Sequence, residues 1–208
     1  MARTYPVHWL RTEKGRSRLS APSMSPPPSK ESLERTLQRA AGGDETAWRR
    51  IVDAYGPRVF GLIRAHCGSV ELAEEITQST FCTIVARIGQ YTELGRFESW
   101  LFRIAMNRLR DEMRRRKRQA RPVEAEALAG LAGADEEARS APADEVRALR
   151  AAVDRLSEAD RRVIHLRHFS GLSFSRIAEV LGEPLGTVLA RQHRALGKLR
   201  QMLTEGGP

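Results

Sequence analysis

The chain has 208 residues, with 35 lysines and arginines against 26 aspartates and glutamates, a formal net charge of +9 and a pI near 10.5. That length fits one or two small domains, and the charge favours an anionic partner, either nucleic acid or an acidic membrane surface. No apolar run is long enough to insert in a bilayer, no apolar stretch follows the basic N-terminus as a secretory signal requires, and Cys67 and Cys82 lack the spacing of a zinc site or a disulfide framework. The expected location is therefore cytoplasmic, with no metal, no cofactor and both cysteines as small core residues.

Residues 1–30 are expected to form a disordered tail. Ser25-Pro26-Pro27-Pro28-Ser29 excludes helix, and few apolar residues precede it. Arg3, Arg11, Lys14, Arg16 and Arg18 read as solvated, and Met24 is an alternative start of translation that the intact mass of the natively expressed protein would reveal. From Glu31 the chain turns helical and amphipathic. Leu33, Leu37 and Ala40/Ala41 mark a first helix that Gly42-Gly43 ends, and Asp44 suits the cap of the next. Trp48, Ile51, Val52 and Tyr55 repeat at helical spacing. Gly56-Pro57 is expected to interrupt them before Val59, Phe60 and Ile63 resume the apolar face. After the break at Gly68-Ser69, Leu72, Ala73, Ile76, Thr80 and Val85 carry a further helix toward Ile88, ending near Gly89.

Between Phe97 and Arg118 the residues Phe97, Trp100, Leu101, Ile104, Ala105 and Leu109 form an apolar stripe suited to packing on the preceding helices. The same helix carries Arg103, Arg108, Arg110 and the run Arg114 to Arg118, which Asp111 and Glu112 only partly offset. Such a density of cations repels itself unless a polyanion neutralises it, so contact with backbone phosphates is the natural reading. Trp100 lies on the stripe and is read as core. Residues 119–143 are rich in Ala, Gly and Pro and acidic through Glu124, Glu126, Asp135, Glu136 and Glu137, which reads as a flexible linker between two basic modules. About 25 extended residues span up to roughly 80 Å, and major-groove faces two turns apart need only about 70 Å.

Asp144 opens a second domain, with Val146, Leu149, Ala152/Val153 and Leu156 as an apolar face. Ser157 and Asp160 have the spacing of a capping box for the next helix. His165 and His168, three residues apart, are read as helix residues rather than a metal pair, because no third ligand is evident. Ser173 can cap a short helix from Phe174 to Leu181, with Leu172 and Ile177 placed as a hydrophobic staple. Gly182 ends it, and Pro184 stands at the start of a longer helix. That helix carries Val188, Ala195, Leu196, Leu199 and Leu203 on one side, and Thr187, Ala190, Arg191, His193, Arg194 and Lys198 on or beside the other. The arrangement is a helix-turn-helix pattern, in which the second helix enters the major groove of DNA.

The motifs RRVIHLRHFSGLS, IAEVLG, P-x-GTV and R-x-HRA between Arg161 and Ala195 resemble region 4 of bacterial sigma-70-family sigma factors, of the extracytoplasmic-function group. FESWLFRIAMNRLRDEMRRRKR, from Phe97, resembles the part of region 2 that meets the promoter −10 element, and AEEITQSTF, from Ala73, resembles the part that docks on the polymerase β′ clamp helices. Two matches in the family's order imply an all-α protein of two small helical domains, region 2 over 31–118 and region 4 over 144–204, joined by the acidic linker. The resemblance assigns Ala73, Glu75, Ile76, Gln78 and Phe81 to binding the polymerase core. Arg96, Arg103, Asn107, Arg108, Arg110, Arg114 and Arg115 fall to −10 DNA, with the loop from Gln90 to Arg96 capturing a flipped base. Ser173, Arg176, Thr187, Ala190, Arg191, His193, Arg194 and Lys198 fall to the −35 element. The implied partners are the polymerase core, through the β′ clamp helices and the β flap, promoter DNA, and an anti-sigma factor. The linker's implied path is the RNA exit channel.

This chain departs from the family's pattern at several positions. Glu75 replaces the usual Asp, Ser79 a common acid and Val85 a common Trp. Leu156-Ser157 replaces Leu-Pro, Leu189-Ala190 stands where Lys-Ser is frequent, and Gln192 replaces a Leu on the inner side of its helix. A −35 preference unlike that of close relatives, or weaker reliance on that element, is expected. Two other readings compete with the sigma factor: a stand-alone helix-turn-helix regulator, which leaves the region 2 matches unused, and a basic nuclease built on His165, His168 or His193, for which no acidic cluster with metal spacing is present.

Overall fold

The computed structural model describes residues 30–119 and 143–205, and these are all-α. The expected tail, Met24 and nearly all of the expected linker lie outside the described residues. The helices fall into two units, each built around its own core. The first holds α1 (Lys30–Ala41), α2 (Glu45–Cys67), α3 (Val70–Arg87), a 3-10 turn (Ile88–Gln90) and α4 (Phe97–Gln119). The second holds α5 (Ala143–Asp154), α6 (Glu158–His168), α7 (Phe174–Leu181) and α8 (Leu185–Glu205).

In the first unit, Gly43 takes φ 93° after α1, and Asp44 then caps α2 by accepting from the amides of Thr46 (2.8 Å) and Ala47 (3.2 Å). The Thr46 hydroxyl and the Arg39 guanidinium also donate to it, and together these bonds hold its carboxyl well below the usual carboxylate range. The Trp48 indole donates to the Ala40 carbonyl at 2.9 Å, joining α2 to α1 at the turn between them. Contrary to the expected interruption, α2 runs unbroken through Pro57. A proline in a helix interior costs about 3 kcal/mol. Here Trp48, Ile51, Tyr55, Val59, Leu62 and Ile63 are buried on both sides of it, and each contributes roughly 1.5–3 kcal/mol on burial, so packing outweighs the break.

The first core is sealed by aromatic rings. Phe97 meets Tyr55 edge-on at 5.4 Å and Tyr91 at 5.7 Å, and Tyr91 stacks on Trp100 at 4.6 Å. Trp100 is thus only half-buried, with one face against Tyr91. Arg58 of α2 pairs with Glu98 of α4 at 2.5 Å while lying over the rings of Tyr55 and Phe102, which fastens α2 to α4. Cys82 is exposed on the outer side of α3, away from Ile76, Thr80 and Ile84, and is not the core residue expected; Cys67 is half-buried.

In the second unit, Ala152, Leu156, Ile164, Ala195 and Leu199 form the core, with Val153 and Met202 packed against it. Ser173 caps α7 through the Arg176 amide (3.3 Å), and Leu172 and Ile177 are fully buried, as a staple requires. Gly182 closes α7 at φ 68°, and the Pro184 carbonyl accepts the first bonds of α8 from Thr187 and Val188. The buried side of α8 is narrower than its leucines suggest. It centres on Val188, Gln192, Ala195 and Leu199, and leaves Leu196 and Leu203 exposed, as Leu149 is on α5.

Gly182 occupies the left-handed region that a Cβ disfavours by about 1–2 kcal/mol. Gly182→Ala is expected to lower the stability of the helix-turn-helix unit by roughly that amount, read as a lower midpoint in denaturant unfolding.

Candidate nucleic-acid interface

On α3, the sequence-predicted residues separate into two sets. Glu75 and Gln78 are exposed on the outer face, whereas Ala73, Ile76 and Phe81 are buried at 0%, 3% and 1% exposure. The buried three hold α3 in the bundle and offer no side chain to a partner.

Along α4, the buried residues Leu101, Phe102, Ile104, Ala105, Met106 and Leu109 fix which side faces out. Arg103, Asn107, Arg110 and Arg114 recur at helical spacing on the exposed side, and Arg110 donates to the Asn107 side-chain Oδ1 at 3.2 Å. Arg108 points elsewhere: its Nε and Nη2 both donate to the Thr83 hydroxyl (3.1 and 2.6 Å), joining α4 to α3. Arg115 makes two 2.8 Å bonds to Glu112, which Arg116 also reaches. The Arg115 bond is the chief reason that the Glu112 carboxyl is held low. In the loop before α4, Glu93 accepts from the Tyr91 hydroxyl and from the Arg96 amide, both at 3.0 Å, so one carboxylate shapes the turn that carries exposed Arg96. Sequence reasoning missed Glu93, although both of its partners lie within three residues and a local capping search would have found it.

In the second unit, the groups predicted to contact the −35 element also divide. Ser173 is exposed, but its hydroxyl is spent on the cap. Arg176 pairs with Glu179 at 3.0 Å, and Arg191 places one nitrogen against both oxygens of Glu183 (2.7 and 2.5 Å). Arg194 and Lys198 converge from α8 on Asp160 of α6, at 3.2 and 3.1 Å. Thr187, Ala190 and His193 are exposed.

Only half of the expected capping box forms. Ser157 accepts from the Asp160 amide at 3.2 Å, while the Asp160 carboxylate, 2% exposed, is taken up chiefly by Arg194 and Lys198 of α8. Burial pushes that carboxyl up. The bonds from Arg194, Lys198 and Ser157 outweigh the burial and leave it below its ordinary value. No local spacing signals these partners, which lie 34 and 38 residues away.

His165 is buried edge-on against Phe169, whereas His168 is exposed, so the two rings face different surroundings. Among the described residues no group of three or more His, Cys, Asp or Glu side chains could hold a metal ion. The Gln192 side-chain Oε1 is buried against the second core without a hydrogen-bond donor.

Residues 51–119 match the family described as Sigma-70 region 2, and residues 152–201 match Sigma-70, region 4. The chain is 32% identical over 176 residues to the ECF RNA polymerase sigma factor BldN of Streptomyces coelicolor, covering 81% of this chain and 65% of that protein, just under two thirds of its length. It is 30% identical over 184 residues to the ECF RNA polymerase sigma factor SigW of Bacillus subtilis, covering 83% of this chain and 97% of that one. Two solved structures share the fold at 23% identity. They are CnrH in complex with the cytosolic domain of CnrY (TM-score 0.64, 84% of this chain and 99% of that chain) and the sigma factor RpoE in complex with the anti-sigma factor NepR from Bartonella quintana (TM-score 0.65, 76% and 98%).

Two substitutions test the interior of the second unit. A carboxyl held below its ordinary value stabilises the folded state at neutral pH, and that contribution is lost as pH falls through its folded pKa. Asp160→Asn is therefore expected to flatten the acid limb of a stability-against-pH curve as pH falls below the ordinary aspartate range and to cost about 1.5–3 kcal/mol at pH 7. Gln192→Leu removes the unpaired buried carbonyl and is expected to raise the thermal midpoint, a gain of about 1–2 kcal/mol.

Proposed function

The chain belongs to the sigma-70 family of RNA polymerase sigma factors, in its extracytoplasmic-function group, and we infer that it directs bacterial RNA polymerase to specific promoters and helps open the DNA there. The observation that carries this reading is the pair of matched regions, in the family's order, on two separate helical units. A stand-alone helix-turn-helix regulator would need only the second. The chain itself performs no chemistry in this reading, and it acts in the cytoplasm beside the polymerase; no helix among the described residues is long and apolar enough to cross a membrane.

The division of labour follows the domains proposed above, 31–118 and 144–204. The outer face of α3, with Glu75 and Gln78, meets the β′ clamp helices. Arg103, Asn107, Arg110 and Arg114 form one stripe on α4 and take the −10 strand, with Arg96 contributing from the loop. Arg108 holds α4 on α3 and positions that stripe. The loop before α4 receives a base drawn from the stack, and pocket contacts must offset an unstacking cost of a few kcal/mol. In the second unit, α8 enters the major groove of the −35 duplex. Arg191, Arg194 and Lys198 are held by Glu183 and Asp160 along one flank of α8, a placement suited to phosphates, which fix register without reading sequence. The β flap of the core and an anti-sigma factor complete the proposed partners; the latter accords with the complex of RpoE with the anti-sigma factor NepR.

Reconstitution with bacterial core polymerase on genomic fragments, with sequencing of transcript 5′ ends, tests the reading. New start sites sharing two upstream elements are expected. No core binding together with no new starts would favour the regulator. Within that assay Arg103→Ala with Arg110→Ala is expected to slow open-complex formation while leaving core binding intact. It should also shallow the salt dependence of promoter binding by about one unit of log–log slope per cation removed.

A further inference from the structure

The buried residues Val188, Gln192 and Ala195 set the outward pole of α8. At 3.6 residues per turn that pole carries Gly186, Ala190 and His193, with Thr187 on one shoulder and Leu185 and Leu189 on the other. Leu185 and Leu189 are each 44% exposed, and Ala190 is exposed. The cations lie on the Thr187 shoulder, where Arg191, Arg194 and Lys198 are engaged by Glu183 and Asp160. Arg176 of α7 is engaged by Glu179. A guanidinium held this way must give up its carboxylate before it can chelate a guanine.

The first turns of such a helix are the part that reaches base edges. Here Leu185, Leu189 and Ala190 present methyl and methylene groups, flanked by the Thr187 hydroxyl, with Arg191 engaged by Glu183 and the His193 ring following further along the helix. In the major groove only one base feature complements an apolar side chain, the 5-methyl group of thymine. We propose that Leu189, with Ala190 beside it, is a specificity-determining contact of this protein and reads thymine methyl groups in the −35 duplex. The assignment rests on α8 being the promoter-contacting helix.

The test uses holoenzyme assembled from the full chain and bacterial core polymerase, on promoter fragments recovered by transcript 5′-end sequencing. Each −35 thymine is replaced in turn by deoxyuridine, which pairs identically and lacks only the methyl group. At the contacted positions binding is expected to weaken about fourfold per methyl removed. Leu189→Ala should abolish the difference between the two duplexes, Leu189→Met should retain most of it, and matching circular-dichroism melts would show both variants folded. Equal affinity for the two duplexes in the parent protein, or unaltered discrimination in Leu189→Ala, overturns the assignment while the sigma-factor reading stands. A recovered −35 element without thymine overturns it as well. If no specific start sites form, the sigma-factor reading falls and this assignment falls with it.

Discussion

A carboxylate with 2% of its side-chain surface exposed lies between two cations of another helix, and the pose of α8 depends on it. An ionised Asp in an apolar interior is costly unless charged donors surround it. Asp160 has them in Arg194 and Lys198, one turn apart on α8. The same residue gives its backbone amide to the Ser157 cap at the start of α6. Capping of α6 and orientation of α8 therefore share a single residue. The helix proposed to enter the groove is aimed by electrostatics as well as by its apolar core.

The first unit solves the same problem differently. Arg58 lies against two aromatic rings and pairs with Glu98, so the charge that crosses from α2 to α4 is packed as well as paired. Arg108 crosses from α4 to α3 onto a hydroxyl that itself donates back along α3 to the Ser79 carbonyl. In both units, cations that look in sequence like a continuous binding surface divide into those that hold helices together and those that face outward. That division governs what can be asked of each arginine. Removing Arg108 or Arg194 loosens a joint between helices as well as changing a surface.

Most of the helices were legible because their signals are local. Asp44, Ser69, Ser157 and Ser173 all cap as their positions suggest, and Gly68 and Gly182 end their helices in the left-handed region. The expected break at Pro57 failed because burial along α2 is a tertiary effect that outweighs the missing hydrogen bond. Leu196 and Leu203 misled for a related reason: periodicity marks an apolar side but not how wide a stripe the neighbouring helices cover. The motif match carried Ala73, Ile76 and Phe81 along with their exposed neighbours, although motif positions are kept for packing as readily as for contact. Asp160 was legible as a cap and illegible as the anchor of α8, since its partners stand more than thirty residues away.

The far end of α4 has a physical consequence of its own. Its fully buried residues stop at Leu109, yet the helix continues to Gln119, roughly 15 Å further. Arg114, Arg115, Arg116, Lys117 and Arg118 crowd this overhang, with Glu112 offsetting only part of their charge. Without a core beneath it, such a segment keeps its helical form only as far as intrinsic propensity and charge balance permit. Its helix–coil equilibrium is thus a function of ionic strength and of any anion nearby. A nucleic-acid strand drawn along α4 would shift that equilibrium as it binds, so part of the ordering of the helix becomes a component of the binding isotherm.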